Sequence, residues 1–98
     1  MAPPSYKLML PDETAGLIRN LHPHLKKKIK AALQAIISDP FVGKALKDEL
    51  KGLLSFRVSS FRIVYRVAPK RHIIEIMTIG PRKHIYEETF LVISRENP

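Results

Sequence analysis

The chain has 98 residues, no cysteine, and a formal net charge of +8 from 17 Lys and Arg against 9 Asp and Glu. That length suits one small domain with a single modest core, and the missing cysteine excludes disulfides, thiolate nucleophiles and cysteine-held zinc. The basic balance points to polyanionic partners, whether nucleic acid, an acidic membrane surface or an acidic protein.

No apolar run is long enough to span a bilayer, and the first residues lack the apolar segment of a signal peptide. A reducing, cytoplasmic setting is therefore the expectation. Tyr6, Leu8 and Leu10 alternate with Lys7 and Met9, so residues 5–10 read as a short strand. Pro11-Asp12-Glu13-Thr14 reads as a helix start with acids in its first turn, and Ala15, Leu17, Ile18 and Leu21 give that helix a buried side. His22-Pro23 interrupts it, and Pro23 suits the first position of a second helix. There, Leu25, Ile29, Ala32, Leu33, Ile36 and Ile37 follow the spacing of an apolar stripe until Asp39-Pro40. Lys26, Lys27, Lys28 and Lys30 flank that stripe. They form either a solvated face or a set of phosphate contacts, with Lys27 as the candidate.

Residues 40–52 read as a connector with one or two helical turns, in which Leu46 and Leu50 cover the edge of the core and Gly52 permits a bend. Leu54–Val58 and Phe61–Ala68 then read as strands joined at Ser59-Ser60. In the second of these, Phe61, Ile63, Tyr65 and Val67 share one face while Arg62, Val64 and Arg66 share the other. Ile73–Ile79 is apolar enough for a central strand, and Gly80-Pro81 ends it. A short closing helix is expected after Lys83, with an extended tail as its rival. This order predicts an α+β fold over residues 1–98, with two N-terminal helices packed on one face of a small, mainly antiparallel four-stranded sheet. The other face is expected to stay open and to carry the alternating arginines.

Between Leu53 and Tyr86 the chain carries seven Lys or Arg (Arg57, Arg62, Arg66, Lys70, Arg71, Arg82 and Lys83) against one acid, Glu75. A sheet face of that charge is first a phosphate-binding surface. Leu50-Lys51-Gly52, Phe56-Arg57-Val58, the run Phe61 to Val67 and Gly80-Pro81-Arg82-Lys83-His84-Ile85-Tyr86 together resemble the RelE/ParE toxin superfamily of bacterial toxin–antitoxin pairs. The resemblance implies a small toxin with a cognate, RelB-like antitoxin wrapped around it as a hetero-oligomer. For the RelE-like branch it implies cleavage of messenger RNA in the ribosomal A site, and for the ParE-like branch a gyrase target without ribonuclease residues. It places Arg62 on the arginine that holds the scissile phosphate, Arg82 on a second catalytic arginine, Tyr86 on a C-terminal tyrosine and Arg57 on a basic position of the preceding strand. This chain departs from the pattern in two places. A lysine used in parts of the family falls near Ser55, and Ser59-Ser60 stands where Gly-Asp is common.

RNA carries its own nucleophile, the 2′-hydroxyl. A protein that cuts it must accept that proton, stabilise a phosphorane and protonate the departing 5′-oxygen. Arginine suits the middle task, because its planar fork matches phosphate oxygens and stays charged, but it is a poor base. His84 has the pKa for either proton role and stands two residues after Arg82, on the same side of an extended segment. Tyr86 either stacks on a base or donates to phosphate, or it is a core-edge aromatic. Arg66 and Lys83 are further candidate RNA contacts, with an outward solvated charge as the rival reading of Arg66. His22, His24, His72 and His84 lack a compact ligand spacing, so neither metal nor cofactor is expected. The leading expectation is a ribosome-dependent messenger-RNA endoribonuclease. The rivals are a gyrase-poisoning toxin and a toxin-fold protein that persists only as a binding module.

Overall fold

The computed structural model describes residues 5–81 together with Thr89 and Ile93. Strand β1 (Lys7–Met9) leads into helix α1 (Asp12–Arg19), whose first turn holds Asp12 and Glu13. Helix α2 (Pro23–Ser38) starts where expected: Pro23 occupies its first position, and the His24 N–H donates to His22 Nδ1 at 3.2 Å. Proline there sacrifices no hydrogen bond, because the first N–H groups of a helix have no partner within it.

Strands β3 (Leu54–Val58), β4 (Phe61–Ala68) and β5 (Ile73–Pro81) form the antiparallel meander that alternation predicts. Val58 pairs with Phe61, so Ser59-Ser60 is a two-residue turn. Ser59 accepts a φ of 57°, in the left-handed region such hairpins require. Gly52 bends the chain into β3 with a φ of 95°, and a Cβ there would meet nothing within 4 Å.

The sheet differs from the expected one in strand number and in direction. Among the described residues it has five strands in the order β1-β5-β4-β3-β2. The additional strand, β2 (Lys44–Ala45), lies inside the connector, paired antiparallel as Lys44 to Ser55 and Ala45 to Leu54. Two residues are too few for a period-2 pattern to register. β1 lies parallel to β5, with Lys7 opposite Ile73, which makes the sheet mixed. The connector also carries a single 3-10 turn, Asp48–Leu50.

The helices, which follow the opening strand β1, cover one face of the sheet. Ile29, Ile36, Ile63, Tyr65 and Ile74 have no exposed surface and form the centre of a core shared with Ile18, Ala32, Leu33, Val58, Ile76 and Ile79. Burying each large side chain contributes about 1.5–3 kcal/mol. The opposite face is not left open. Val64 pairs with Thr78 but Tyr65 pairs with Ile76, so β5 carries a bulge with Met77 as the additional residue. Met77 thereby joins Leu53 and Val64 in a second apolar cluster, packed by Leu46, Leu50 and Ile93. Thr89 is buried and shares a hydrogen bond with Thr78 between their Oγ1 atoms, at 2.6 Å. Thr89 and Ile93 are both helical, and the remainder of the expected closing helix lies outside the described residues.

Candidate nucleic-acid interface

Pairing register decides which cations meet. Arg57 and Arg62 are directly opposed across β3 and β4, and Arg62 is in turn opposed to Gly80 on β5. The row Arg57–Arg62–Gly80 thus crosses three strands on the face away from the helices, at the end of the β3–β4 hairpin. Gly80 itself adds no side chain to that row.

Arg62 is half-buried. Its Nη1 donates to Ser55 Oγ at 3.3 Å, while its Nε is buried with no hydrogen-bond partner among the described residues. Ser55 is 3% exposed and sits diagonally across the ladder from Arg62. Arg57 is exposed, and its Nε donates to the Ser59 carbonyl at 3.4 Å. Among the described residues neither arginine makes an ion pair. Like charges directly opposed in a ladder are destabilising, and a buried donor without an acceptor costs about 1–3 kcal/mol. An anion seated over these guanidiniums offsets the repulsion, and it reaches the Nε once the Arg62 side chain shifts.

Arg66 is placed differently. Its Nη2 donates to both carboxylate oxygens of Glu75 at 2.8 Å each, across the β4–β5 register pair. It stands four residues along β4 from Arg62, about 13 Å at strand rise, and is not gathered with the arginine row. Lys27 is exposed on α2, in the helix layer on the opposite side of the sheet from Arg62. Arg82, Lys83, His84 and Tyr86 lie outside the described residues. Among the described residues no group of three His, Asp or Glu is placed to hold a metal ion, and no helix is long and apolar enough to cross a membrane.

Two residues acquire roles that sequence reasoning had not given them. Ser55 had entered only as the place of a missing lysine, yet its hydroxyl is the acceptor that fixes Arg62. The signal for it was its spacing, two residues before Arg57 and so on the same face. Tyr65 was expected to be core and is. Beyond that, its hydroxyl accepts the Gly43 N–H at 2.9 Å. Burial raises this phenol above its ordinary value, the Gly43 bond partly offsets that, and the charge of Asp39 adds to it.

The sequence model described as ParE-like toxin of type II bacterial toxin-antitoxin system matches residues 10–89. The chain belongs to the ParE-like toxin family. It is 34% identical over 79 residues to Toxin RelE of Mycobacterium tuberculosis (strain ATCC 25618 / H37Rv), across 74% of this chain and 80% of that protein. Its fold is that of solved RelE structures. The free-state double mutant of Escherichia coli toxin RelE superposes with a TM-score of 0.74 at 15% identity, covering 96% of this chain and 99% of that one. The toxin–antitoxin complex RelBE2 of M. tuberculosis gives 0.69 at 24% identity, over 80% and 99%. The archaeal RelE–RelB complex of Pyrococcus horikoshii OT3 gives 0.67 at 19%, over 80% and 96%. In this ParE-like toxin the arginine row therefore lies on β3 and β4 of a RelE-like sheet.

Proposed function

We propose that this toxin is a ribosome-dependent endoribonuclease that cleaves messenger RNA and so inhibits translation. The observation that carries the reading is the opposed pair Arg57–Arg62, free of ion pairs among the described residues, with a buried Nε that lacks an acceptor. A phosphodiester supplies acceptors to both guanidiniums. As the 2′-oxygen bonds to phosphorus and the bond to the 5′-oxygen breaks, leaving a 2′,3′-cyclic phosphate, the non-bridging oxygens gain charge that fixed arginines stabilise without reorganisation. RNA brings its own nucleophile, so the step asks the protein only for charge stabilisation and proton transfer.

In this reading Arg82 is the second phosphate-binding arginine, and His84 takes or returns the proton. Tyr86 stacks on a base, while Lys83 and Lys27 meet flanking or ribosomal phosphate. The partner that silences the toxin is a RelB-like antitoxin whose acidic and apolar segments complement the basic face. The solved relatives from M. tuberculosis and P. horikoshii are RelB-containing complexes, and that supports it.

Primer extension on translating ribosomes tests the activity. Cuts within codons are expected, with Arg62→Ala slowing them by about 10²–10³, the loss typical of one aimed donor. Intact transcripts accompanied by cleaved DNA–gyrase complexes would establish the second reading, a gyrase-targeting toxin. The match to the ParE-like family model favours that alternative.

A further inference from the structure

On the edge strand, Lys44 is directly opposed to Ser55, so its side chain leaves the sheet on the face that carries Ser55, Arg57 and Arg62. It is exposed and, among the described residues, makes no ion pair or hydrogen bond through its ammonium. Its backbone is held with unusual care for a strand of two residues. Immediately before it, the Gly43 N–H donates to the buried Tyr65 hydroxyl at 2.9 Å. Beyond it, the Leu46 N–H donates to the Leu53 carbonyl at 2.9 Å. A Cβ at Gly43 would lie 2.6 Å from that hydroxyl and 3.1 Å from the Ser55 carbonyl oxygen, so the close approach is possible only with glycine. Tyr65 belongs to the helix-side core, and its hydroxyl thus reaches the sheet edge to set the position of β2.

We infer that Lys44, positioned by the Gly43–Tyr65 hydrogen bond, is an RNA-phosphate contact that adds a cation on the edge strand β2, beside the arginine row. This rests on reading that row as an RNA site. Lys44 lies two strands across from Arg62 and two residues along, so their backbones are about 12 Å apart. That separation suits the next phosphate along the strand rather than the one between the arginines. A single ammonium is adequate for such a contact, since a flanking phosphate needs a point charge and not a fork. Fixing the backbone lowers the entropy lost when the side chain is ordered on binding.

The test is the salt dependence of binding to a single-stranded 2′-O-methyl RNA, which the protein cannot cleave, measured by fluorescence anisotropy. Loss of one phosphate contact lowers the slope of log K against log salt by about 0.7. Lys44→Ala is expected to show that drop, Lys44→Arg to retain the wild-type slope, and Arg19→Ala, exposed on α1 in the helix layer, to match wild type. A wild-type slope in Lys44→Ala overturns the inference and leaves Lys44 as a charge that merely protects a sheet edge. Arg62→Ala reports on the row separately: an unchanged slope there overturns the row as an RNA site, whatever Lys44→Ala does. Tyr65→Phe, with its folding verified by thermal melting, is expected to share the loss seen in Lys44→Ala. If it keeps the full slope, the positioning role of the tyrosine is overturned.

Discussion

Arg62 depends on a serine hydroxyl at 3.3 Å, a long bond for a charged donor. Ser55→Ala is expected to cost about 0.5–1.5 kcal/mol of stability yet to slow the proposed RNA cleavage by roughly tenfold or more, because a guanidinium misplaced by about 1 Å costs up to about 10²-fold. The loss should fall on kcat and spare KM, with Ser55→Thr restoring most of it. Tyr65 makes a prediction about pH. Its folded-state phenol titrates above the ordinary value of 10.0 because it is buried. Above that value the unfolded chain holds fewer protons than the folded one, so stability falls as pH rises. The contribution is complete below the unfolded pKa and is lost as pH climbs through the folded one. Urea midpoints measured from about pH 9 upward should show this alkaline decline, and Tyr65→Phe should flatten it. At this scale alternation told which side of β4 each residue faces. It did not tell that Arg66 is engaged by Glu75 while Arg62 is not. That difference follows from the β4–β5 register, displaced by the bulge at Met77, and register is a property of two strands together.

Elements with a period were legible and elements without one were not. The sixteen residues of α2 announce themselves by their apolar stripe and by Pro23. β2 has two residues and is held by hydrogen bonds from distant places, among them Tyr65. Gly43→Ala tests that tether. Its new Cβ meets the tyrosine hydroxyl, something must shift, and about 1–3 kcal/mol should be lost, seen as a lower melting temperature. Ser59 gives the opposite case. A non-glycine residue at φ 57° in a two-residue hairpin is strained, so Ser59→Gly should raise stability by up to about 1 kcal/mol. Glu75→Gln should change it by less than about 1 kcal/mol, because its ion pair with Arg66 is substantially exposed on both sides.

For the whole molecule, the open basic face foreseen from the sequence exists only in part. The cluster of Leu53, Val64 and Met77, with Leu46, Leu50 and Ile93 upon it, occupies the same side and confines the arginines to the hairpin end. The spacing of Leu46 and Leu50 pointed to a covering role, but Leu53, Val64 and Met77 beneath them are distant in sequence and no local pattern joined them. The remaining layout has a temporal side. Among the described residues β1 has one neighbour in the sheet, β5, where Lys7 lies against Ile73, and both helices and the strands β2, β3 and β4 lie between them in the chain. Closing so long a loop is slow relative to hairpin formation. During synthesis the opening strand must therefore wait, unmatched, until the last strand emerges, and a polypeptide interrupted before Ile73 has nowhere to lay it down.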